Sequence, residues 1–385
     1  MRTLLSGFLS VFLALAIPCW NAAPVHRSSV QRHAGKENSG QLAGRDQENR
    51  FCPAGDTLEV LFWNVENFFD WRNDSTTVSD AEFSARGERR WTWKRFQAKA
   101  NAFAKALFWI EAETGRLPDI IGLEEVENSF VLRQLLQKTA LRKLDYKYVH
   151  YDSPDRRGID VALLYRSSRL ELLDSKPCHL FASDTLLATR DILLCIFREK
   201  PSVIPGQTGN LSEGDRSPIG AGHDESSARH DGAFAVLVNH HPSKYGGAAE
   251  SEPRRRIAVE RLRFLVDSLA AVGIDHVIAG GDFNDTPDNP VFRLLEPALT
   301  PLHMDLHRRG LGTIKYDGKW DLIDQIYISS GWALRARMRI LRIPFLLTRD
   351  TAHSGEKPLR TYTGPRYSGG VSDHLPILLE VLFPP

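Results

Sequence analysis

Short apolar runs alternate with amphipathic stretches along this chain, and most of the apolar runs end abruptly in polar residues. Leu58 to Asn64 alternates and is rich in bulky side chains, which predicts a strand. From Trp91 to Glu111, residues Phe96, Ala100, Phe103, Ala104, Leu107 and Phe108 recur at helical spacing, with Gly115 as the stop. Asp119 to Leu123 predicts a short buried strand, and Phe130 to Lys138 a helix. Tyr146 to Tyr151, Ile159 to Tyr165, Leu170 to Leu173 and Asp191 to Phe197 continue the strands. Ala233 to Val238 is another strand. A helix follows from about Arg254 to Ala270, burying Ala258, Leu262, Leu265, Val266 and Leu269. Val277, Ile278 and Ala279 read as a central strand. It runs through Gly280 and Gly281, where backbone or ligand must come close, into Asp282, Phe283, Asn284 and Asp285. Leu322 to Ile328 and Leu375 to Phe383 close the series.

Strands and helices are interleaved, yet several strand pairs follow each other with short links. That argues for mixed sheets in an α/β fold. Two mixed β-sheets flanked by helices accommodate all these strands in one catalytic-sized domain, over about residues 56–385. Residues 200–231 are rich in Gly, Ser, Pro and Asp and hold no core face, which predicts a long surface insertion.

The chain of 385 residues is 42% hydrophobic and 25% charged, ordinary for a globular protein. Met1-Arg2 followed by the apolar run Leu4 to Ile17 is too short for a transmembrane anchor. With the small residues Ala22-Ala23 behind it, 1–23 reads as a secretory signal peptide and implies export, periplasmic or extracellular. A lipoprotein signal ending at Cys19 competes, weakened by Pro18 where a small residue is expected. Residues 24–50 have almost no large apolar side chains and read as a disordered linker. Cleavage would remove one arginine and no acid, leaving 48 basic against 48 acidic residues. A zero net charge excludes a global basic field that draws in nucleic acid, so polyanion binding would rest on local patches. Of Cys52, Cys178 and Cys195, the last two lie on neighbouring strand-like segments and are the pair expected in an oxidising compartment. Their spacing matches no zinc site.

The chemistry sits at the strand ends. Asn64, Glu125, Asp160, His240, Asp282 with Asn284, and Asp373-His374 each terminate or flank a predicted strand, and Asp324 adds an acid inside one. One such residue is turn chemistry. Seven on separate strands are hard to explain that way.

The segments Trp63-Asn64-Val65-Glu66-Asn67, Gly122-Leu123-Glu124-Glu125-Val126, Arg157-Gly158-Ile159-Asp160-Val161-Ala162, Asn239-His240, Gly281-Asp282-Phe283-Asn284-Asp285, Ile323-Asp324-Gln325-Ile326 and Ser372-Asp373-His374 occur in this order. Together they resemble the endonuclease/exonuclease/phosphatase superfamily, over about residues 56–383. The resemblance implies a four-layer α/β sandwich and divalent-metal-dependent phosphoester hydrolysis, with Mg²⁺ as the cofactor and Mn²⁺ or Ca²⁺ as alternatives. It implies Glu125 as metal ligand, with Asn64 and Asp373 beside it. Glu124 stands where relatives often carry Gln. His240 and His374 would contact phosphate, paired by the same likeness with Asp160 and Asp324 respectively, each acid favouring a protonated ring. Asp282 would be the base toward the attacking water, and Asn284 would donate to the phosphate. Lys244 and Arg190 are further anion-binding candidates. His241 should point away from the site if the strand continues.

This core does not choose its phosphoester. The reading carried forward is an exported endonuclease with nucleic acid as substrate, which implies no stable protein partner. A phosphatase or lipid phosphodiesterase on the same fold is the alternative. A non-catalytic binding protein is a further one, disfavoured because the full residue set is present.

Overall fold

The computed structural model describes residues 57–73, 78–201, 232–244 and 247–383. The expected signal peptide, the linker, Cys52 and the 202–231 part of the expected insertion lie outside the described residues. No described helix is long and apolar enough to cross a membrane.

Twelve strands build the two large sheets: β1 (Thr57–Phe68), β2 (Ile120–Val126), β3 (Tyr146–His150), β4 (Asp160–Arg166), β5 (Leu170–Cys178), β6 (Ile192–Glu199), β7 (Ala233–His240), β8 (His276–Asp282), β9 (Leu299–Pro301), β10 (Asp324–Ser329), β11 (Ala336–Ile340) and β12 (Ile377–Leu382). The first sheet runs β11-β12-β1-β2-β4-β3, and the second β9-β10-β8-β7-β6-β5. Each holds one parallel pair, β1 with β2 and β7 with β8, among antiparallel neighbours. The mixed α/β sandwich read from the sequence is therefore the fold.

Period-two alternation explains the layers. On β1, Leu61, Trp63 and Val65 face an outer core shared with α1 (Trp93–Thr114) and α2 (Ser129–Lys138). Leu58, Val60 and Phe62 face the other way, into a core between the sheets that also holds Val236, Val238, Ile278, Ile326 and Leu379. The second sheet turns Ala235, Leu237, Val277 and Ala279 outward against Ala258, Leu262, Leu265 and Leu269 of α3 (Ala248–Ala271). Four layers, helix–sheet–sheet–helix, result.

The helix boundaries follow local chemistry. Thr92 caps α1, and Gly115 ends it in the left-handed conformation at φ 86°. Asn128 caps α2 through Val131 N–H. Helix α3 starts at Ala248, upstream of the expected Arg254, because Pro253 lies inside it rather than at its start.

Between the sheets the Phe62 ring lies against two glycines. A Cβ on Gly122 would come 2.5 Å from that ring, and one on Gly280, in the facing sheet, 2.4 Å. Both positions need glycine because nothing else leaves room for the ring.

Cys178 and Cys195 are free thiols, which corrects the expected disulfide. Strands β5 and β6 do pair, but Cys178 sits opposite Ile192 and Cys195 opposite Ser175. The two side chains also face opposite sides of the sheet, Cys178 toward α3 and Cys195 toward the inter-sheet core. That separation leaves no route to the required Cβ approach.

Candidate active site

The site is the rung at which the inter-sheet core turns polar. Counting by two from the apolar positions, Phe62 leads to Asn64, Gly122 to Glu124, Val238 to His240, Gly280 to Asp282 and Ile326 to Asp324. In the first sheet Asn64 pairs in register with Glu124. In the second, Asp282 pairs with His240 on one side and Asp324 on the other. The two polar rungs face each other. Asn64 Nδ2 donates across the gap to Asp282 Oδ2 at 3.1 Å.

Backbone irregularity supplies the remaining groups. Glu66, Asn67, Glu125 and Asn284 adopt φ of 45°, 49°, 65° and 51°, four of the seven left-handed non-glycine residues described. Strained conformations of this kind gather where a side chain must be aimed. The register between β2 and β4 slips between Glu124 and Val126, so that Glu125 breaks the alternation. Its Oε2 accepts from Asn67 N–H at 2.7 Å, and its Oε1 lies 3.9 Å from His240 Nε2. His240 Nε2 is also 3.6 Å from Asp282 Oδ2. The segment before β12 is tied onto β1: Trp63 Nε1 donates to His374 O at 3.1 Å, and Ser372 Oγ to Asn64 O at 2.6 Å. There His374 Nδ1 meets Asp324 Oδ2 at 2.8 Å, and its Nε2 lies 3.9 Å from Asp373 Oδ1. Thr313 Oγ1 also donates to Asp324 Oδ2.

The electrostatics separate these groups. Burial opposes charge on His374, but Asp324 overcomes it and holds the imidazole well above its ordinary value, so the ring is cationic. Burial lowers His240 well below its ordinary value, and Arg190 and Arg157 lower it further. Its surroundings disfavour the protonated ring, in contrast to those of His374. Burial pushes Asp282 up to about 7, against the pull of His374. Burial, with Asp324 and Asp282, pushes Glu124 well above the carboxylate range, and neither of its oxygens has a hydrogen-bond partner.

Of the expected residues, Asn64, Glu125, His240, Asp282, Asn284, Asp324 and His374 are brought together, with Asp373 beside His374. Asp160 is not paired with His240. It follows the parity of Ala162 and Leu164, which face the outer core, and so meets His150 Nε2 at 3.3 Å and Ser153 N–H at 2.9 Å. His150, Asp152 and Asp160 form the described His–carboxylate group whose ligand atoms all lie within 4.8 Å of one another, although Asp152 is 90% exposed. Arg190 is buried rather than offered to substrate. It bonds Asp155 at 2.9 Å and the His241 carbonyl at 2.5 Å. Lys244 is held by Asp285 at 2.8 Å. The amide nitrogen of Asn284 is engaged at the His241 carbonyl, 3.0 Å, and Asp282 Oδ2, 3.2 Å, which aligns Asp282. His241 turns away, as expected, and packs against Phe283.

Sequence reasoning missed Glu66, although it stands inside the quoted Trp63–Asn67 segment. Its carboxylate takes Arg360 Nε at 3.0 Å and Thr361 N–H at 2.8 Å, and Arg360 Nη2 reaches Asp373 Oδ2 at 2.9 Å. Burial and the nearby Asp373 push Glu66 up to about 7. Lys99, wholly buried, donates to the Glu66 carbonyl and to Thr361 Oγ1, and burial lowers it to about 8.

Acids, amides and two unlike imidazoles at the facing ends of two sheets define an α/β-sandwich centre of the phosphoesterase class. The chain belongs to the Endonuclease/Exonuclease/phosphatase family, whose model matches residues 59–200 and 227–382. Members of that superfamily are phosphoester hydrolases. An endonuclease/exonuclease/phosphatase family protein from Bacteroides thetaiotaomicron is similar in fold, with a TM-score of 0.50 and 16% identity, covering 86% of this chain and 99% of its own. The human Nocturnin catalytic domain with bound sulfate gives 0.48 at 18% identity, covering 85% and 95%. The mannosyl-6-phosphatase Bt3783 of Bacteroides thetaiotaomicron gives 0.49 at 15%, covering 85% and 100%. At such identities the likeness is one of fold. No curated protein matches the chain.

Proposed function

We propose that the chain is an exported, divalent-metal-dependent phosphodiesterase that cleaves nucleic acid internally. The observation that carries the reading is the pair of facing polar rungs, with Asn64 bonded across the gap to Asp282 and His374 held by Asp324 beside it.

The residues present fit a hard cation. Glu66, Glu125 and Asp373 offer carboxylates in this region: Arg360 spans Glu66 and Asp373, and Asn67, next to Glu66, donates its N–H to Glu125. Oxygen donors of this kind suit Mg²⁺, Mn²⁺ or Ca²⁺ rather than a soft metal. Glu125 and Asp373 would hold the ion, with Glu66 and Asn64 adjoining them. Bound there, a divalent ion supplies charge neutralisation at phosphoryl oxygens.

The chain's own groups then divide the work. Asp282, whose carboxyl is raised by burial toward neutrality, takes a proton from water as that water attacks phosphorus. The opposite P–O ester bond breaks and the departing alkoxide is protonated from solvent. Asn64 and the Asn284 backbone N–H fix its two oxygens, the latter at 2.8 Å. His374, held at Nδ1 by Asp324, directs its Nε2–H to a phosphoryl oxygen where charge develops. Neutral His240, beside Asp282 and Glu125, positions rather than neutralises.

Release of fragments from DNA or RNA, dependent on Mg²⁺ and abolished by chelator, tests the function. A parallel panel of inositol phosphates, sugar phosphates and sphingomyelin separates the nuclease reading from the phosphatase and lipid alternatives. Asp282→Asn should lower kcat by about 10²- to 10⁴-fold. Near-normal turnover in that variant would remove Asp282 as the base.

A further inference from the structure

Next to the carboxylates lies a cavity of ≈ 240 Å³, whose lining includes Glu66, Phe83, Arg89, Arg360, Thr361 and Tyr362. It adjoins the proposed cation position. Glu66 is in its wall, and Arg360 grips Asp373. Its size is below that of a whole small-molecule pocket, so it fits one group of a larger substrate.

The hydrogen-bonding capacity of the walls leans toward donors. Both Glu66 oxygens are taken, by Arg360 and by Thr361 N–H. Thr361 Oγ1 already serves Lys99 and donates to backbone carbonyls. Tyr362 donates its hydroxyl to the Arg89 carbonyl at 2.9 Å. What the walls still present are two guanidiniums and the side-chain amide of Asn67. Arg360 is engaged through Nε and Nη2 but keeps half its side-chain surface open. Arg89 is engaged by Glu82 and the Gly364 carbonyl, and its guanidinium lies over the Tyr362 ring, 5.4 Å from the centroid. Planar donors in this excess over acceptors call for an acceptor-rich anion, and arginine forks match phosphate. Once a cation balances Glu125 and Asp373, the charges around the cavity are Lys99, Arg89 and Arg360 against Glu66 and Glu82.

We infer that this cavity is a subsite for a second phosphate of the substrate, next to the one cleaved, read by Arg360 and Arg89. The inference rests on the phosphodiesterase reading and sharpens it: substrates with two neighbouring phosphates are preferred over those with one. A polynucleotide and a bisphosphorylated small molecule share that chemistry.

The test compares dinucleotides with one internal phosphodiester and hydroxyl ends against the same compounds with a 5′- or a 3′-phosphate. Inositol monophosphate against bisphosphate forms the second arm. The added phosphate should lower KM about tenfold in whichever arm holds the true source. In Arg89→Leu and Arg360→Met that preference should fall to near unity, with the change in KM rather than kcat for Arg89→Leu. An Arg360 that merely clamps Glu66 and Asp373 would instead depress all substrates alike. A measurement without turnover runs beside it: calorimetric binding of inorganic phosphate to the chain in excess Mg²⁺, which should weaken about tenfold in each variant. No turnover on any substrate, with arginine-dependent phosphate binding intact, defeats the phosphodiesterase reading and keeps the subsite. Turnover with an unchanged preference, or phosphate binding indifferent to both arginines, overturns the subsite.

Discussion

The two histidines occupy opposite flanks of one cleft, and their surroundings give them opposite states. His374 has a carboxylate on Nδ1 that favours its cationic form despite burial. His240 is equally buried, has no partner on its own Nδ1 among the described residues, and feels Arg190 and Arg157. Its neutral form is favoured. Residue type alone therefore says little about role. What decides it is the rung neighbour and the sign of the nearest buried charge.

The largest way to break this contrast is Asp324→Asn. The shape survives, but His374 loses the charge that protonates it. Steady-state kinetics on a phosphodiester should show kcat reduced by about 10²- to 10⁴-fold, a cost like that of a mis-oriented imidazole. Next comes the buried cation behind His240. Arg190→Met removes the closer of the two cations at Asp155, from a pair whose side chains are both 5% exposed, and leaves the half-exposed Arg157 at 3.6 Å. Denaturant unfolding should show a loss of about 3–5 kcal/mol. NMR titration should show the His240 ring gaining protons at higher pH than in the parent.

A third prediction sharpens the contrast through His241. Burial, aided by Arg190 and Arg255, lowers it to about 3 from the ordinary 6.5. The native state then binds fewer protons than the unfolded chain between those values. Its contribution to stability is complete above pH 6.5 and is lost as pH falls toward 3. His241→Phe should make stability between pH 6 and 4 less acid-sensitive, by about 1.4 kcal/mol per pH unit. The smallest effect is expected at Glu124→Gln. A protonated acid is exchanged for a neutral amide of similar shape, so unfolding at neutral pH should move by less than about 1 kcal/mol. A large loss there would show that the parent carboxyl is ionised.

Much of this was legible in the chain. The alternation of Leu58, Val60 and Phe62 predicts which way Asn64 faces, and the same count places His240, Asp282 and Asp324 on one rung. The boundaries of α1 and the mixed sheets followed from caps, spacing and link lengths. Pairings between distant residues did not. Asp160 is one residue out of phase with the inter-sheet positions Val161 and Leu163, so strand parity sends it to His150. The family resemblance hides that detail. The same parity separates Cys178 from Cys195. Arg190 and Lys244 looked like anion contacts because nothing in a linear sequence shows Asp155 and Asp285 waiting for them. Glu66 escaped notice because its partners, Arg360 and Thr361, lie almost three hundred residues away.

The ring of Phe62, seated against Gly122 and Gly280, acts as a thickness gauge between the two halves of the protein. Its width sets how far apart the opposing polar rows stand one step further along the strands. A leucine there would let the walls lean inward, and a methyl on either glycine would wedge them open. The spacing available to a phosphate is thus written into three residues that never touch it, and substitutions there should retune substrate size while leaving every polar group intact.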